Sequence, residues 1–286
     1  MTQVQPHDSV ADQQPATEVV QRFAASIEYD GSHYHGWQAQ RSGISTVQRA
    51  VEAAFSNVAD HPLTVICAGR TDTGVHGCNQ IIHFDSSAVR SERSWVFGAN
   101  SNLSNDIAVR WVKPVDDSFH ARFSAVYRRY RYVILNAPVR PAHLPNGVTW
   151  NYRLLDVALM RDAAQRLEGE HDFSSFRAIG CQAKSPVKTI HHLRVERFGD
   201  LIVIDVKANA FLHHMVRNIA GVLMTIGSGK RPVSWVNNVL AARDRTQGGV
   251  TAPPYGLYFV DVGYPEQFDL PSPPLGPYFL SPWLTE

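Results

Sequence analysis

Residues 63–84 read Leu63-Thr64-Val65-Ile66-Cys67-Ala68-Gly69-Arg70-Thr71-Asp72-Thr73-Gly74-Val75-His76-Gly77-Cys78-Asn79-Gln80-Ile81-Ile82-His83-Phe84. Two apolar, β-branched runs, 63–67 and 80–84, read as consecutive buried strands. Three glycines between them let the backbone turn sharply and approach a ligand closely. The loop holds one carboxylate, Asp72, two residues from one guanidinium, Arg70. An Asp fixed between strands in this way suits a nucleophile or an acid/base. Asp and Gly are also ordinary turn residues, so the rest of the chain decides what the loop is for.

The two strands form the middle of a larger pattern. Upstream, Arg22–Tyr29 reads as a strand, and Asp30-Gly31-Ser32 as a turn. Ser45-Thr46-Val47-Gln48 has capping-box form, and Val47, Val51, Ala54, Phe55 and Val58 fall on one helical face behind it. Downstream, a short helix from about Glu92 to Ser101 precedes a strand over Ile107–Val112. The order is β-α-β-β-α-β, the ferredoxin-like arrangement.

The second half repeats it. Phe123–Asn136 reads as a long strand, Asp156–Leu167 as a helix, and Val187–Phe198 with Leu201–Ala208 as two strands turning at Gly199-Asp200. A helix runs from about Leu212 to Ile226, with Gly227 as its stop. A short helix, Val233–Ala242, and a last strand, Gly256–Val262, follow. The fold class is therefore α+β. Two ferredoxin-like (βαββαβ) halves are expected to form one continuous, mostly antiparallel sheet with a central cleft. The expected divisions are a disordered tail at 1–20, an N-terminal half at 21–116, a C-terminal half at 117–263, and a Pro-rich strap at 264–286.

The net charge of +1 conceals an uneven distribution. Residues 1–20 hold three acids and residues 261–286 hold four, neither with any Lys or Arg, so the body carries +8. Residues 118–155 contain six Arg and no acid, and residues 206–243 contain five Lys or Arg and no acid. Such blocks suit a polyanion, because each cation placed on a phosphate releases condensed counterions. The three cysteines, Cys67, Cys78 and Cys181, show no CxxC spacing. They are expected to be reduced thiols in the cytoplasm rather than a disulfide framework or zinc site. No apolar run approaches a membrane span of about 20 residues, and residues 1–20 lack the basic and apolar blocks of a secretory signal.

Two further groups could carry chemistry. In Tyr127-Arg128-Arg129-Tyr130-Arg131-Tyr132, strand alternation puts Tyr130 and Tyr132 on one face and Arg129 and Arg131 on the other. Rings interleaved with Arg suit unstacked RNA bases and their phosphates, and equally a strand with one core face and one solvated face. In His213-His214-Met215-Val216-Arg217-Asn218, Arg217 projects from the apolar stripe beside Gly221, where missing side-chain volume leaves room for a partner. Adjacent helical residues face different directions, so the paired His are not expected to share a metal. Asp72-Thr73-Gly74 spells the aspartic-protease triplet, but no second DTG or DSG is present to share a proton. No GxxxxGK[ST] phosphate loop occurs either.

Taken together, Gly69-Arg70-Thr71-Asp72-Thr73-Gly74-Val75-His76 resembles the GRTD-x-GVH signature of the tRNA pseudouridine synthase A family. The likeness extends over about residues 22–280. It includes Tyr29-Asp30-Gly31, Gly36-Trp37-Gln38, Phe119-His120-Ala121-Arg122, Arg129-Tyr130-Arg131-Tyr132, Asp172-Phe173-Ser174-Ser175-Phe176 and Phe211 through Asn218. Thr73 stands where Ala is common, and Gly77 and Cys78 also depart from the usual pattern.

The resemblance implies an isomerase that converts uridine to pseudouridine at positions 38, 39 and 40 in the anticodon stem-loop of tRNA. It implies a homodimer working without metal or organic cofactor. It makes Asp72 the catalytic nucleophile, Tyr130 the ring that stacks on the target base, Arg70 the wedge that displaces it, and Arg217 the cation paired with Asp72. A neighbouring cation favours the ionised carboxylate that the reaction needs. The alternative is a non-catalytic RNA-binding module of two ferredoxin-like halves, which would need the basic patch but not Asp72.

Overall fold

The computed structural model describes residues 19–40 and 43–280. All but the last two residues of the expected N-terminal tail, and the end of the expected strap, lie outside the described residues. The first half contains β1 (Gln21–Tyr29), α1 (Val47–Ala59), β2 (Ile66–Cys67), β3 (His76–Ser86), α2 (Glu92–Asn102) and β4 (Ile107–Pro114). The second contains β5 (Tyr127–Leu135), β6 (Thr149–Trp150), α3 (Val157–Gln165), β7 (Gly169–Asp172), β8 (Val187–Phe198), β9 (Leu201–Ala208), α4 (Met215–Gly227), α5 (Trp235–Ala242) and β10 (Leu257–Gly263).

These strands make a single sheet in the order β4-β1-β3-β10-β5-β9-β8-β7, with β2 added to β3 and β6 to β5. Within the first half the order is β4-β1-β3-β2, and within the second it is β10-β5-β9-β8. Both halves therefore place their fourth, first, third and second principal strands side by side, all antiparallel. The halves meet through a short parallel pairing, with Tyr258 of β10 opposite His76 of β3 and Phe259 opposite Gly77. The fold is thus α+β, with one mostly antiparallel sheet, as the sequence pattern implies.

The periodicities named above build the core. Phe55 of α1, Phe84 of β3 and Trp95 of α2 are fully buried together, with Phe55 and Phe84 ring centroids 4.8 Å apart. Burial of side chains this size contributes about 1.5–3 kcal/mol each. In the second half, Ile219, Leu223 and Ile226 of α4 and Met160 of α3 are buried with Ile202, Ile204 and Val206 of β9.

Some expectations are corrected. The capping box before α1 does not form. Thr46, not Ser45, is the N-cap, and Gln48 Oε1 instead accepts from the Ala39 N–H at 3.0 Å and from Gln38 Nε2 at 2.8 Å. Its side chain thereby secures the loop after Trp37. The long strand expected from Phe123 begins at Tyr127, because residues 120–126 turn back, with the Ser124 N–H donating to the His120 carbonyl. The Pro-rich segment after β10 is not wholly extended. It contains 3-10 turns at Glu266–Phe268 and Tyr278–Leu280, whose Phe268 and Leu280 are buried. No helix among the described residues is long and apolar enough to cross a membrane.

Candidate active site

The loop from Ala68 to Val75 leaves β2 and enters β3 at the seam between the halves. Its course is fixed from several sides. The Gln80 side chain brackets Gly69, its Oε1 accepting from the Gly69 N–H at 3.2 Å while its Nε2 donates to the Gly69 carbonyl. The Trp37 N–H donates to the Thr71 carbonyl at 3.0 Å, and Thr71 Oγ1 shares a hydrogen bond with the Tyr29 hydroxyl at 2.8 Å. The Val75 N–H closes a turn onto the Asp72 carbonyl, and Gly74 takes φ +77° against Pro254 and Tyr255. Arg128 of β5 donates through Nη2 to the Ala68 carbonyl at 3.1 Å, which ties the loop to the second half.

Asp72 stands partly exposed in the wall of a cavity of about 1180 Å³ that both halves line. Three side chains from the entry and first turn of α4 converge on its carboxylate. His213 Nε2 lies 3.3 Å from Oδ1, His214 Nε2 lies 3.3 Å from Oδ2, and Arg217 Nη1 lies 3.6 Å from Oδ2. Arg217 is itself braced, donating through Nε to the Ala252 carbonyl at 2.8 Å. The space beside Gly221 is not open to a partner. A β-carbon there would meet the Val250 carbonyl oxygen at 1.9 Å, so the backbone of residues 250–252 fills it.

Register brings Tyr130 to the same cavity, because it pairs with Phe259 of β10, which pairs with Gly77 of β3. The Tyr130 ring packs 4.9 Å from Phe259 and meets Phe211 edge-on at 5.0 Å. Burial pushes its phenol well above the ordinary value. Arg70 is exposed on the rim of the same cavity. All four sequence-predicted residues, Asp72, Arg70, Tyr130 and Arg217, therefore line one cavity.

Other residues of those motifs have different uses. Arg129 and Arg131 both pair with Asp205, at 2.8 Å each, and His192 Nε2 is 2.9 Å from the same carboxylate. Burial opposes the charge on Asp205, but His192 and the two guanidinium groups outweigh it and hold the carboxyl far below its ordinary value. These two arginines are structural, not phosphate ligands. Tyr132 is fully buried, its hydroxyl bonded to Thr149 Oγ1 and to the Pro253 carbonyl.

The convergence of His213 and His214 escapes the helical argument, since α4 begins only at Met215 and His214 has a left-handed backbone. Asp72, His213 and His214 offer three ligand-type atoms within 4.8 Å of one another, the single such set among the described residues. The Arg217 guanidinium on the same carboxylate works against a cation there. Chemically, the arrangement holds a carboxylate among basic donors, beside an aromatic ring, in the wall of an open cleft.

A family model described as "tRNA pseudouridine synthase" matches residues 25–124 and 163–265. A Pseudomonas aeruginosa protein named "tRNA pseudouridine synthase A" is 60% identical over 262 residues, covering 92% of each chain. An Alcanivorax borkumensis protein of the same name is 58% identical, over 91% of this chain and 97% of that one. One from Legionella pneumophila is 59% identical, over 91% and 98%. A solved structure described as a Cbf5-Nop10-Gar1 complex aligns with 83% of this chain and 49% of that chain, at 10% identity and a TM-score of 0.33.

Proposed function

The chain belongs to the tRNA pseudouridine synthase family, and from that membership we propose that it isomerises uridine to pseudouridine at positions 38, 39 and 40 in the anticodon stem-loop of tRNA. Asp72 is the nucleophile. The observation that carries this reading is the carboxylate of Asp72 in the cleft wall, faced by His213, His214 and Arg217 from the other half. A non-catalytic module has no need for three basic side chains on one carboxylate.

The reaction breaks the N1–C1′ glycosidic bond, turns the uracil and joins C5 to C1′; the C5 proton leaves and N1 takes one up, so the proton count is unchanged. Nothing is oxidised and no group is lost, so the chemistry requires a nucleophile and proton transfers only. The uridine must first leave its stack, which costs a few kcal/mol. Tyr130 supplies a ring against which the extruded base can stack, and Arg70, on the rim, fills the place it vacates. Basic side chains outside the Asp205 cluster meet the phosphates. The enzyme works in the cytoplasm as a homodimer, with the first half bearing the nucleophile loop and the second bearing Tyr130 and Arg217.

The test is incubation of the chain with an unmodified tRNA transcript and mapping of the modified positions. Pseudouridine at 38–40, lost in Asp72→Asn while tRNA binding persists, supports the assignment. Substantial turnover by Asp72→Asn removes the nucleophile role.

A further inference from the structure

His214 occupies the N-cap of α4 with φ +60° and ψ 6°. That left-handed conformation is costly for a residue with a β-carbon. Its side chain makes no capping hydrogen bond, so helix capping does not offset the cost. The conformation instead alters where the rings point. Consecutive residues on a helix diverge by about 100°, whereas the His213 and His214 rings lie 4.0 Å apart and both Nε2 atoms reach Asp72.

The contacts divide the carboxylate. His214 and Arg217 both approach Oδ2, and their side chains are the less exposed, at 28% and 15%. Of the three, His213 has its nearest approach at Oδ1, and its side chain is the most exposed, at 44%. Oδ2 thus lies nearest the two less exposed side chains, and Oδ1 nearest the most exposed one.

We propose that His214 is a positioning residue which, with Arg217, holds Asp72 Oδ2 so that Oδ1 is the oxygen presented to the substrate. This rests on Asp72 being the nucleophile. Burial holds the His214 imidazole below its ordinary value against the pull of Asp72, and His213 and Arg217 act in the same sense as burial. Backbone strain kept at a site residue, where a relaxed conformation would remove the contact, has the form of pre-organisation.

The decisive variant is His214→Gly, which removes the ring and the strain together. It should melt at or above the wild-type temperature and bind unmodified tRNA transcript within about twofold. Its kcat should fall on the order of 10- to 100-fold, the scale of a misplaced reacting group. His214→Gln, whose amide N–H can reach toward the former Nε2 position, should recover part of kcat. A His214→Gly chain with wild-type kcat overturns the inference alone. So does one whose melting temperature falls with its activity and whose Gln counterpart recovers nothing. A wild-type chain that makes no pseudouridine in the same assay overturns the functional reading and this inference with it.

Discussion

A β-carbon on Gly36 would stand 2.6 Å from the carbonyl oxygen of Thr71, and Gly36 already sits at φ +81°. The Trp37 N–H donates to that same carbonyl, so the Gly36-Trp37 turn is the mould against which the Asp72 loop is formed. Gly36→Ala should therefore act at a distance. It combines a left-handed backbone penalty with a clash against backbone that cannot yield cheaply, together about 2–3 kcal/mol. Denaturant titration should show that loss, and kcat should fall further than binding does, because the displaced group is the loop that carries Asp72.

His83 sets a pH limit. Its Nδ1 accepts from the Ala121 N–H at 3.1 Å, which requires the neutral ring. Burial, with His120 and Arg22 acting in the same direction, lowers its pKa from 6.5 to about 4. Because the folded value is depressed, the unfolded chain takes up this proton first as pH falls. The stability contribution is whole above pH 6.5 and is lost between about 6.5 and 4. Unfolding free energies measured at pH 7.5, 6 and 5 should decline in that window, and His83→Gln should flatten the decline.

The three thiols should differ sharply in reactivity. Burial pushes both Cys67 and Cys78 up to about 12. Burial acts the same way on Cys181, but the N–H groups of His213 and Ala183 and the Arg177 side chain outweigh it and leave that thiol below its ordinary value. A thiol reagent near neutral pH should modify Cys181 at least about 100-fold faster than the other two, since the thiolate is the reacting form. Peptide mapping after brief alkylation checks the order.

Removing Asp205 should cost more than removing any exposed acid. Arg131 is 1% exposed and donates to the Asp205 carboxylate and to the Gly276 carbonyl, so it joins the sheet to the C-terminal segment. Asp205→Ala strands a buried guanidinium and should destabilise the chain by roughly 3–5 kcal/mol. In the wild-type chain neither Arg129 nor Arg131 is free for phosphate, because Asp205 engages both.

That last point marks a boundary of what sequence could disclose. Alternation in β5 correctly separates the Tyr130–Tyr132 face from the Arg129–Arg131 face, since side-chain direction along a strand is a local property. Whether an Arg faces phosphate or a buried carboxylate depends on Asp205, some 75 positions away, and no local pattern contains it. The βαββαβ order is legible for the same local reasons, whereas the β3–β10 seam rests on two opposed residue pairs far apart in the chain. At the site, Asp72 is legible from its glycine-rich loop. His213 and His214 are not, because a helical periodicity read through them hides the one left-handed residue that turns both rings toward Asp72.

Gly221 offers a way to disturb Asp72 from outside the cavity. Its hypothetical β-carbon would overlap the Val250 carbonyl oxygen at 1.9 Å. Residues 250–252 are the segment that holds Arg217. The Ala252 carbonyl accepts from Arg217 Nε at 2.8 Å, and the Ala252 N–H donates to the Arg217 carbonyl at 3.1 Å. Gly221→Ala cannot be relieved by a rotamer change, because both colliding groups are backbone or fixed to it. The segment must move outward, and the Arg217 guanidinium, 3.6 Å from Asp72 Oδ2, must follow it or lose its brace. A shift of about 1 Å in a reacting constellation can cost roughly 100-fold in rate. Gly221→Ala should therefore reduce kcat by about that factor while Asp72, Tyr130 and Arg70 remain in place and tRNA affinity changes little. Arg217→Lys in the Gly221→Ala background should add little further loss, since both changes remove the same contact. Independent, multiplicative losses in the double variant would show that Gly221 acts through some other part of α4.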